Sequence, residues 1–270
     1  MLRPLDREQL RQEFATAKPF PFVKIENFLE PSAAREIAAS YPSFDEALGQ
    51  GRTFTTVNER KKVQITKPDL FPAPVARLND LLASPQFLSD LSFITAMPNL
   101  LADAELVGGG MHITGPGGRL DVHIDFNYME DRKLHRRLNL LLYLNPTWEE
   151  MWGGDIQFWD KDVKHCEASF TPSFNRCVIF ETNEISNHGV VPVSPSAPIP
   201  RQSFAAYYYT REAPSHWTGV VHSTIFKARP DEQAKGLFLI PAQAAKRRLK
   251  SGVKAIKVGI KGLVGRSHSG

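Results

Sequence analysis

Residues 120–126 read LDVHIDF and residues 177–191 read CVIFETNEISNHGVV, and both combine short apolar runs with polar residues. Similar runs of Val, Ile, Phe, Tyr and Leu extend from about residue 104 to about residue 210, separated by turn-forming segments such as GPGG and TPSFN. Because short strands at such spacing are typical of a β-sandwich or barrel, the sequence predicts an all-β core over residues 104–212.

A different pattern occupies residues 1–103, in which helix signals dominate. Several of these signals include a proline, which is well tolerated in a first helical turn. Helices are expected from Asp6 to Thr16, from Pro31, and within residues 72–83 and 85–97. The predicted fold class is therefore α+β, mainly β, with N-terminal helices packed on the β core.

Residues 233–270 form a basic tail with nine Lys or Arg and no Asp or Glu, whereas the net charge of the whole chain is only +4. Residues 1–232, expected to form a single domain, therefore carry a net charge of −5. Within the tail, apolar residues recur at helical spacing, with lysines on the other face. They are Leu249, Val253, Ile256, Ile260 and Leu263.

An amphipathic tail of this kind can dock on the protein's own surface or on a second subunit. Contact with an anionic surface or a nucleic acid is the alternative, because lysine pairs with phosphate. No nucleic acid is expected at the core, whose charge is negative.

The composition, 42% hydrophobic and 23% charged, is that of a soluble globular chain and excludes a collagen, a coiled coil or a largely disordered protein. No apolar run approaches the roughly 18 residues of a membrane span, and no secretory signal opens the sequence. With Cys166 and Cys177 as the only cysteines, a reducing compartment fits best. We therefore expect a cytoplasmic location.

The pair His123 and Asp125 lies two residues apart in a predicted strand, so both side chains point to one face and can hold one ion together. His188 follows a second apolar run and is the candidate third ligand. Two imidazoles and one carboxylate on one face of an ion are typical of non-haem Fe(II) oxygenases, although zinc accepts the same groups. These three residues alone leave the metal open.

Arg201 and Ser203 share one face of a later strand, RQSFAAYYY. A buried guanidinium beside a hydroxyl matches a carboxylate through a bidentate fork. A metal together with such a carboxylate site indicates a dicarboxylate cosubstrate.

Six stretches in this order resemble the Fe(II)- and 2-oxoglutarate-dependent oxygenases, in particular the prolyl 4-hydroxylase-like branch. They are LDVHIDF, RRLNLLLYLNPTW, WGGDIQFWD, PSFNRCVIFET, SNHGVV and RQSFAAYYY. The resemblance covers about residues 105–210. It implies a double-stranded β-helix, a cupin-like jelly-roll barrel whose open mouth holds the iron.

Carried over to this sequence, the resemblance implies that His123, Asp125 and His188 bind Fe(II) and that Arg201 binds the far carboxylate of 2-oxoglutarate. Tyr143 corresponds to a tyrosine that often contacts the same carboxylate, with Ser203 assisting. Asn139, on the same strand face as Tyr143, is a candidate pocket residue. The presence of Asp125 favours hydroxylation, because halogenating relatives have a small residue there.

One departure from the family pattern lies ten residues before His123. Some prolyl hydroxylases of protein targets have a tyrosine there, whereas this chain has Ile113, preceded by His112. Details of cosubstrate or substrate contact are expected to differ accordingly. We also predict that the charged loop 127–136 forms a lid over the mouth and that His135, within it, is solvated.

Each site residue also has a purely structural interpretation: hydrogen-bonded or surface histidines, a surface ion pair for Arg201, and core packing for Tyr143. The favoured interpretation is a dioxygenase that hydroxylates an unactivated C–H of a prolyl, peptidyl or amino-acid substrate while 2-oxoglutarate is decarboxylated to succinate. It would use Fe(II), 2-oxoglutarate and O2, with ascorbate supporting activity. The alternatives are the same chemistry on a small metabolite or glycan precursor, a non-catalytic jelly-roll binding module, and a zinc hydrolase.

Overall fold

The computed structural model describes residues 1–232 and 235–239. Within them, five α-helices occupy the N-terminal part of the chain. They are α1 (Arg7–Thr16), α2 (Pro31–Ala39), α3 (Phe44–Gln50), α4 (Ala73–Leu82) and α5 (Pro85–Thr95). Short 3₁₀ turns occur at Pro68–Leu70, Glu150–Trp152 and Pro230–Glu232, and a π-helical turn at Lys235–Leu239.

Side-chain caps explain where several helices begin. The carboxylate of Asp6 accepts a hydrogen bond from the Gln9 backbone N–H at the start of α1, and the Ser84 hydroxyl does the same for Phe87 at α5. At α3, Ser43 and Glu46 form a reciprocal capping box. The helices predicted from the sequence are confirmed to within a few residues, whereas α3 was not predicted.

Thirteen strands form one sheet in the described part of the chain. In chain order they are β1 (Phe22–Ile25), β2 (Arg52–Thr55), β3 (Glu59–Ile65), β4 (Leu101–Ala102), β5 (Gly110–Ile124), β6 (Tyr128–Met129), β7 (Leu134–Tyr143), β8 (Ile156–Trp159), β9 (Cys166–Phe170), β10 (Cys177–Glu181), β11 (His188–Val190), β12 (Arg201–Thr210) and β13 (Ile225–Phe226). The main path runs β1-β10-β7-β12-β5-β11-β8-β9.

The sheet curls until its two ends meet. Phe22 on β1 and Phe170 on β9 lie at opposite ends of the strand path, yet their ring centroids are 5.5 Å apart. Phe158 and Phe180 fill the space between the two layers, with ring centroids 5.0 Å apart. This curled, jelly-roll-like sheet with helices packed on it confirms the predicted fold class.

The alternation of side chains along β7 and β12 separates the core from the cavity. One face packs into the cluster that also contains the helices, and the other face points into the curled sheet. The helix-facing residues are Leu138, Leu140, Leu142, Phe204, Ala206 and Tyr208. The inward-facing positions between them are therefore available for a site.

The N-terminal part also contributes strands, of which β2 and β3 were not predicted from the sequence pattern. β3 pairs with β5 from Glu59↔Leu120 to Ile65↔Met111, and β2 pairs with β3 to form a hairpin. β1 pairs with β10 at one end of the path. β3 and β1 have partners in later parts of the chain, so local residue spacing carries little trace of their pairing.

The segment 127–136, predicted as a loop, contains a short hairpin in which β6 pairs with the start of β7. The prediction that His135 is solvated was wrong. His135 is buried, because its ring packs against Tyr128 and Trp217, with centroid distances of 4.7 Å to each. The closure of this hairpin over the mouth stays a prediction.

Among the described residues, no helix combines the length and apolar character that crossing a membrane requires. The predicted amphipathic helix of the basic tail, from Leu249 to Leu263, lies outside the described residues.

Candidate active site

Three candidate ligands converge where β5 ends beside β11. His123 lies near the end of β5, Asp125 directly follows that strand, and His188 begins β11, where it pairs with His123. The Nε2 atom of His123 lies 3.5 Å from Asp125 Oδ1, and that of His188 lies 3.8 Å from Asp125 Oδ2. One ligand atom from each residue lies within 4.8 Å of the others, and all three residues are buried.

Backbone carbonyls set the orientation of both imidazoles. The Nδ1 atom of His123 lies 2.8 Å from the Asp121 carbonyl oxygen, and that of His188 lies 2.9 Å from the Ser186 carbonyl oxygen. With Nδ1–H donating in each case, both Nε2 lone pairs are left for a metal ion. Burial lowers the pKa of His188 to about 4, so its imidazole is neutral at physiological pH.

Arg136, which the sequence analysis missed, supports the carboxylate ligand. Its Nη1 lies 2.9 Å from Asp125 Oδ2, and its guanidinium is sandwiched 3.8 Å from the ring centroids of Phe126 and Tyr207. Burial by itself would raise the pKa of Asp125, but the charge of Arg136 and the neighbouring imidazoles hold it well below its usual range. Asn139, a predicted pocket residue, also reaches this carboxylate, with Nδ2 3.4 Å from Oδ2.

Strand alternation alone would predict that Arg137, and not Arg136, faces the cavity. Counting back in steps of two from the inward residues Tyr143 and Asn139 reaches Arg137. The pairing of β7 with β12 shifts register between Tyr208 and Tyr209, and this bulge turns Arg136 inward instead. No local sequence signal marks that shift.

The residues of the predicted carboxylate site, Arg201 and Ser203, lie at the opposite end of the cavity. Arg201 is buried; its Nε donates to the Gly154 carbonyl oxygen at 2.7 Å and its Nη1 to Ser203 Oγ at 3.3 Å. Gly154 has φ = +79°, and a Cβ there would lie 3.0 Å from Arg201 Cδ. This position therefore requires glycine.

Two polar atoms at this end have no hydrogen-bond partner among the described residues: Arg201 Nη2 and the Tyr143 hydroxyl. The guanidinium lies over the Tyr143 ring, 4.9 Å from its centroid. Burial raises the pKa of Tyr143 to about 12, so the hydroxyl remains a donor. Two unsatisfied buried donors, one of them charged, fit a carboxylate.

The departure at Ile113 has a structural explanation. Residues 115–118 bulge out of the pairing between β5 and β3, which jumps from Lys62↔Thr114 to Arg60↔Arg119. Ile113 therefore belongs to the hydrophobic core, while His112 lines the cavity with Arg201 and Ser203. The Nε2 of His112 lies 2.9 Å from Gln64 Nε2 and 3.0 Å from the Gly108 carbonyl oxygen.

One cavity joins the two ends, since His123, His188, Arg201 and Ser203 all line it. The donor set of two imidazoles and one carboxylate fits a divalent transition metal, and the unsatisfied donors at the other end fit a carboxylate. A second, more open cavity of about 420 Å³ adjoins the metal end, with His123, Asp125, Phe54, Lys62 and Tyr207 in its lining. Together the two cavities could hold a metal, an anionic cosubstrate and part of a third molecule.

Residues 109–209 match the sequence profile of the 2OG-Fe(II) oxygenase superfamily. The matched segment contains all three candidate metal ligands and Arg201. Over 84 residues the chain is also 33% identical to the prolyl 3-hydroxylase OGFOD1 of Mus musculus. That match covers 30% of this chain and 15% of that protein, so only a small part of the relative is matched.

Two solved structures have a similar fold. A prolyl-4-hydroxylase from Pseudomonas putida aligns with a TM-score of 0.56 at 17% identity, covering 77% of this chain and 100% of that chain. A prolyl hydroxylase from Trichoplax adhaerens, solved with a peptide fragment of the hypoxia inducible factor oxygen degradation domain, aligns with a TM-score of 0.52 at 18% identity. It covers 75% of this chain and 90% of that chain. At these identities the similarity establishes the fold.

Proposed function

We propose that the chain is a member of the 2OG-Fe(II) oxygenase superfamily, whose profile matches residues 109–209, and that it is an Fe(II)- and 2-oxoglutarate-dependent dioxygenase that hydroxylates an unactivated C–H of a prolyl, peptidyl or amino-acid substrate. One observation carries the proposal: the histidines of a cluster with the geometry to hold a metal ion share a buried cavity with an arginine whose Nη2 is unpaired. The activity is assigned to residues 1–232 as one domain, with 233–270 as a separate basic tail.

In this assignment His123, Asp125 and His188 hold Fe(II), and Arg201 binds the far carboxylate of 2-oxoglutarate with help from Tyr143. Bound Fe(II) and 2-oxoglutarate supply the reduction of O2, in which 2-oxoglutarate becomes succinate and CO2 and one oxygen atom enters the substrate C–H bond. Asn139 and Ser203 orient the groups at the two ends of the cavity.

The chain's own residues prepare the site in two ways. Arg136 keeps the Asp125 carboxyl ionised, so a ligand is available without a proton having to leave. Leu141, Ile156 and Val190 line the inner cavity and limit the access of bulk water. The outer cavity beside His123 and Asp125 has room for the target group of a larger substrate.

A peptidyl substrate is supported by two observations. The fold is that of the Pseudomonas putida prolyl-4-hydroxylase, and the similar Trichoplax adhaerens protein was solved with a peptide. In this chain the outer cavity lies between the β2–β3 hairpin and residues 224–226, so it opens as a cleft rather than a closed pocket. A cytoplasmic location belongs to the same proposal, since a reducing compartment suits the exposed thiol of Cys166.

The test is succinate formation by the full-length protein with Fe(II), 2-oxoglutarate and ascorbate. We expect slow turnover without substrate and faster turnover when a cell lysate or peptide library is added. Mass spectrometry should then find products heavier by one oxygen atom, and the mass of the modified species separates a peptide from a small metabolite.

Two outcomes would replace the proposal. No succinate under any condition, with 2-oxoglutarate or another ligand still bound, would indicate a binding module. Substrate hydrolysis with Zn²⁺ that N-oxalylglycine does not inhibit would indicate a zinc hydrolase. Omitting ascorbate tests whether it supports activity, and the expected result is a lower yield of succinate.

A further inference from the structure

Five charged side chains form a network beside the metal ligand His123. Its centre is Asp121, whose side chain is completely buried. Arg119 Nε donates to Asp121 Oδ1 at 2.8 Å, Lys235 Nζ contacts Oδ2, and Arg229 Nη1 lies 4.0 Å from Oδ1. Glu232 extends the network, since it pairs with Arg119, with Lys235 at 3.3 Å and with Arg229 at 3.9 Å.

Three of the five residues come from the C-terminal end of the described chain, more than 100 positions after β5. The same segment also binds β5 through its backbone. β13 pairs with Ile124 and His123, and the Lys227 N–H donates to the Val122 carbonyl oxygen at 2.8 Å. Residues 225–232 and Lys235 are thus held against the strand that carries His123, by backbone hydrogen bonds and by ion pairs.

The network reaches the metal ligand through one atom. The carbonyl oxygen of Asp121 accepts the hydrogen bond from His123 Nδ1 at 2.8 Å, and this bond sets the direction of the Nε2 lone pair. A completely buried carboxylate is tolerated only in an arrangement in which its cations face it. The side chain of Asp121 therefore restricts the position of the peptide that orients His123.

His188 provides the internal contrast. Its orienting carbonyl, that of Ser186, is fixed by a local turn: Ser186 Oγ donates to the Asn183 carbonyl oxygen at 2.8 Å and accepts from the Asn183 N–H at 2.9 Å. Asp121 lies in a strand rather than a turn: its N–H donates to the Asn58 carbonyl oxygen at 2.8 Å, and its side chain is held by the charge network. The carbonyl that orients His188 is thus fixed by a local turn, whereas Asp121 is held by distant parts of the chain, the charge network among them.

We propose that Asp121 is a positioning residue for His123, and that Arg229, Glu232 and Lys235 support the metal site through their ion pairs with Asp121 and Arg119. The inference rests on the proposed metal centre and adds a role for a segment that the family match at residues 109–209 does not reach. It predicts that metal affinity depends on ion pairs whose side chains do not touch the metal.

The experiment measures Mn(II) and Co(II) binding to the full chain by calorimetry, with the Co(II) absorption spectrum as a report on ligand geometry. Asp121→Asn keeps the side-chain size and removes the charge. We expect a 10- to 100-fold rise in the metal Kd, the range typical when a partner of a metal-bound histidine is lost. The KM for Fe(II) should rise similarly, while kcat at saturating Fe(II) changes little.

Two further variants separate positioning from folding. Lys235→Met removes one cation from the edge of the network, and should weaken metal binding in the same direction by a smaller factor; it decides the question if Asp121→Asn does not fold. Asp90→Asn removes a more exposed charge pair, with Arg7, in the helical layer and should leave the metal Kd unchanged.

The outcomes are distinct. A wild-type metal Kd and Co(II) spectrum in Asp121→Asn and Lys235→Met, even with lower thermal stability, would overturn the inference and leave the proposed function intact. A wild-type protein that binds no divalent metal would overturn the proposed function as well.

Discussion

The two ends of the inner cavity differ in how completely their charges are compensated. At the metal end, the Asp125 carboxylate already has Arg136 as a partner 2.9 Å away, and both imidazoles are oriented by carbonyls. At the carboxylate end, Arg201 is buried, with Nη2 unpaired and no acidic side chain within ion-pairing distance among the described residues. The metal end is organised before any ligand binds, whereas the carboxylate end has a buried guanidinium that still needs a counter-ion.

This difference has an energetic meaning. A partner charge offsets much of the desolvation cost of a buried carboxylate, while an unpaired buried guanidinium lowers stability until its counter-ion arrives. The arrangement favours tight binding of a carboxylate at Arg201, because binding relieves a cost that folding has already imposed. The following variants test this comparison.

The largest effect is expected from the metal end itself. His123→Ala, Asp125→Ala or His188→Ala removes one of three ligands, so metal binding and 2-oxoglutarate turnover should both fall below detection. Calorimetric metal titration and succinate release are the measurements. The exposed His165→Ala is the control and should behave as wild type. Full activity in any of the three variants would remove that residue from the site.

Arg136→Met should give the next largest effect, because it leaves Asp125 as a buried charge without its partner. We expect a loss of about 3–5 kcal/mol in the free energy of unfolding of the metal-free protein, much of it recovered when a divalent metal is added. Urea unfolding with and without Mn(II) measures both. Arg137→Met, on the same strand but bonded to Thr210, is the matched control. Equal losses in the two variants would contradict the assignment.

Arg201→Met separates the two ends. Loss of a charged partner from a buried pair should raise the 2-oxoglutarate Kd by about 30-fold or more, corresponding to roughly 2 kcal/mol or more, with metal affinity retained. Because the uncompensated charge is gone, the ligand-free variant should unfold at the same temperature as wild type or higher. A strongly destabilised variant, or one with unchanged 2-oxoglutarate affinity, would place the carboxylate site elsewhere.

The smallest expected effect concerns pH. Burial, with the charges of Lys62 and Arg201, holds the pKa of His112 well below its ordinary value. The unfolded chain takes up this proton below about pH 6.5 and the folded chain does not, so stability falls as pH decreases, by about 1 kcal/mol per pH unit. His112→Gln removes this contribution. Urea midpoints at about pH 7.5 and pH 5.5 should therefore shift less in the variant than in wild type.

Strand alternation was a good guide where the strands are regular. It placed Tyr143 and Asn139 on one inward face of β7 and Arg201 and Ser203 on one inward face of β12, and the structure brings these residues to one interior. Strand alternation gives the wrong face at bulges. The register shift beside Tyr209 turns Arg136 toward the cavity, and the bulge at residues 115–118 leaves His112 in the cavity lining and Ile113 in the core. A bulge depends on the partner strand, which the local sequence does not show.

The sequence by itself determined the α+β class, the order of the strand blocks, and the identity of the three candidate ligands with Arg201. These features are local, since period-two alternation and proline-marked helix starts are written in neighbouring residues. The tertiary structure alone decided that Arg136 pairs with Asp125 and that His112, rather than Ile113, faces the cavity. It also decided that Glu232 and Lys235 join the charge network around Asp121. Those contacts depend on strand register and on the return of distant segments, which only the packing of the complete chain determines.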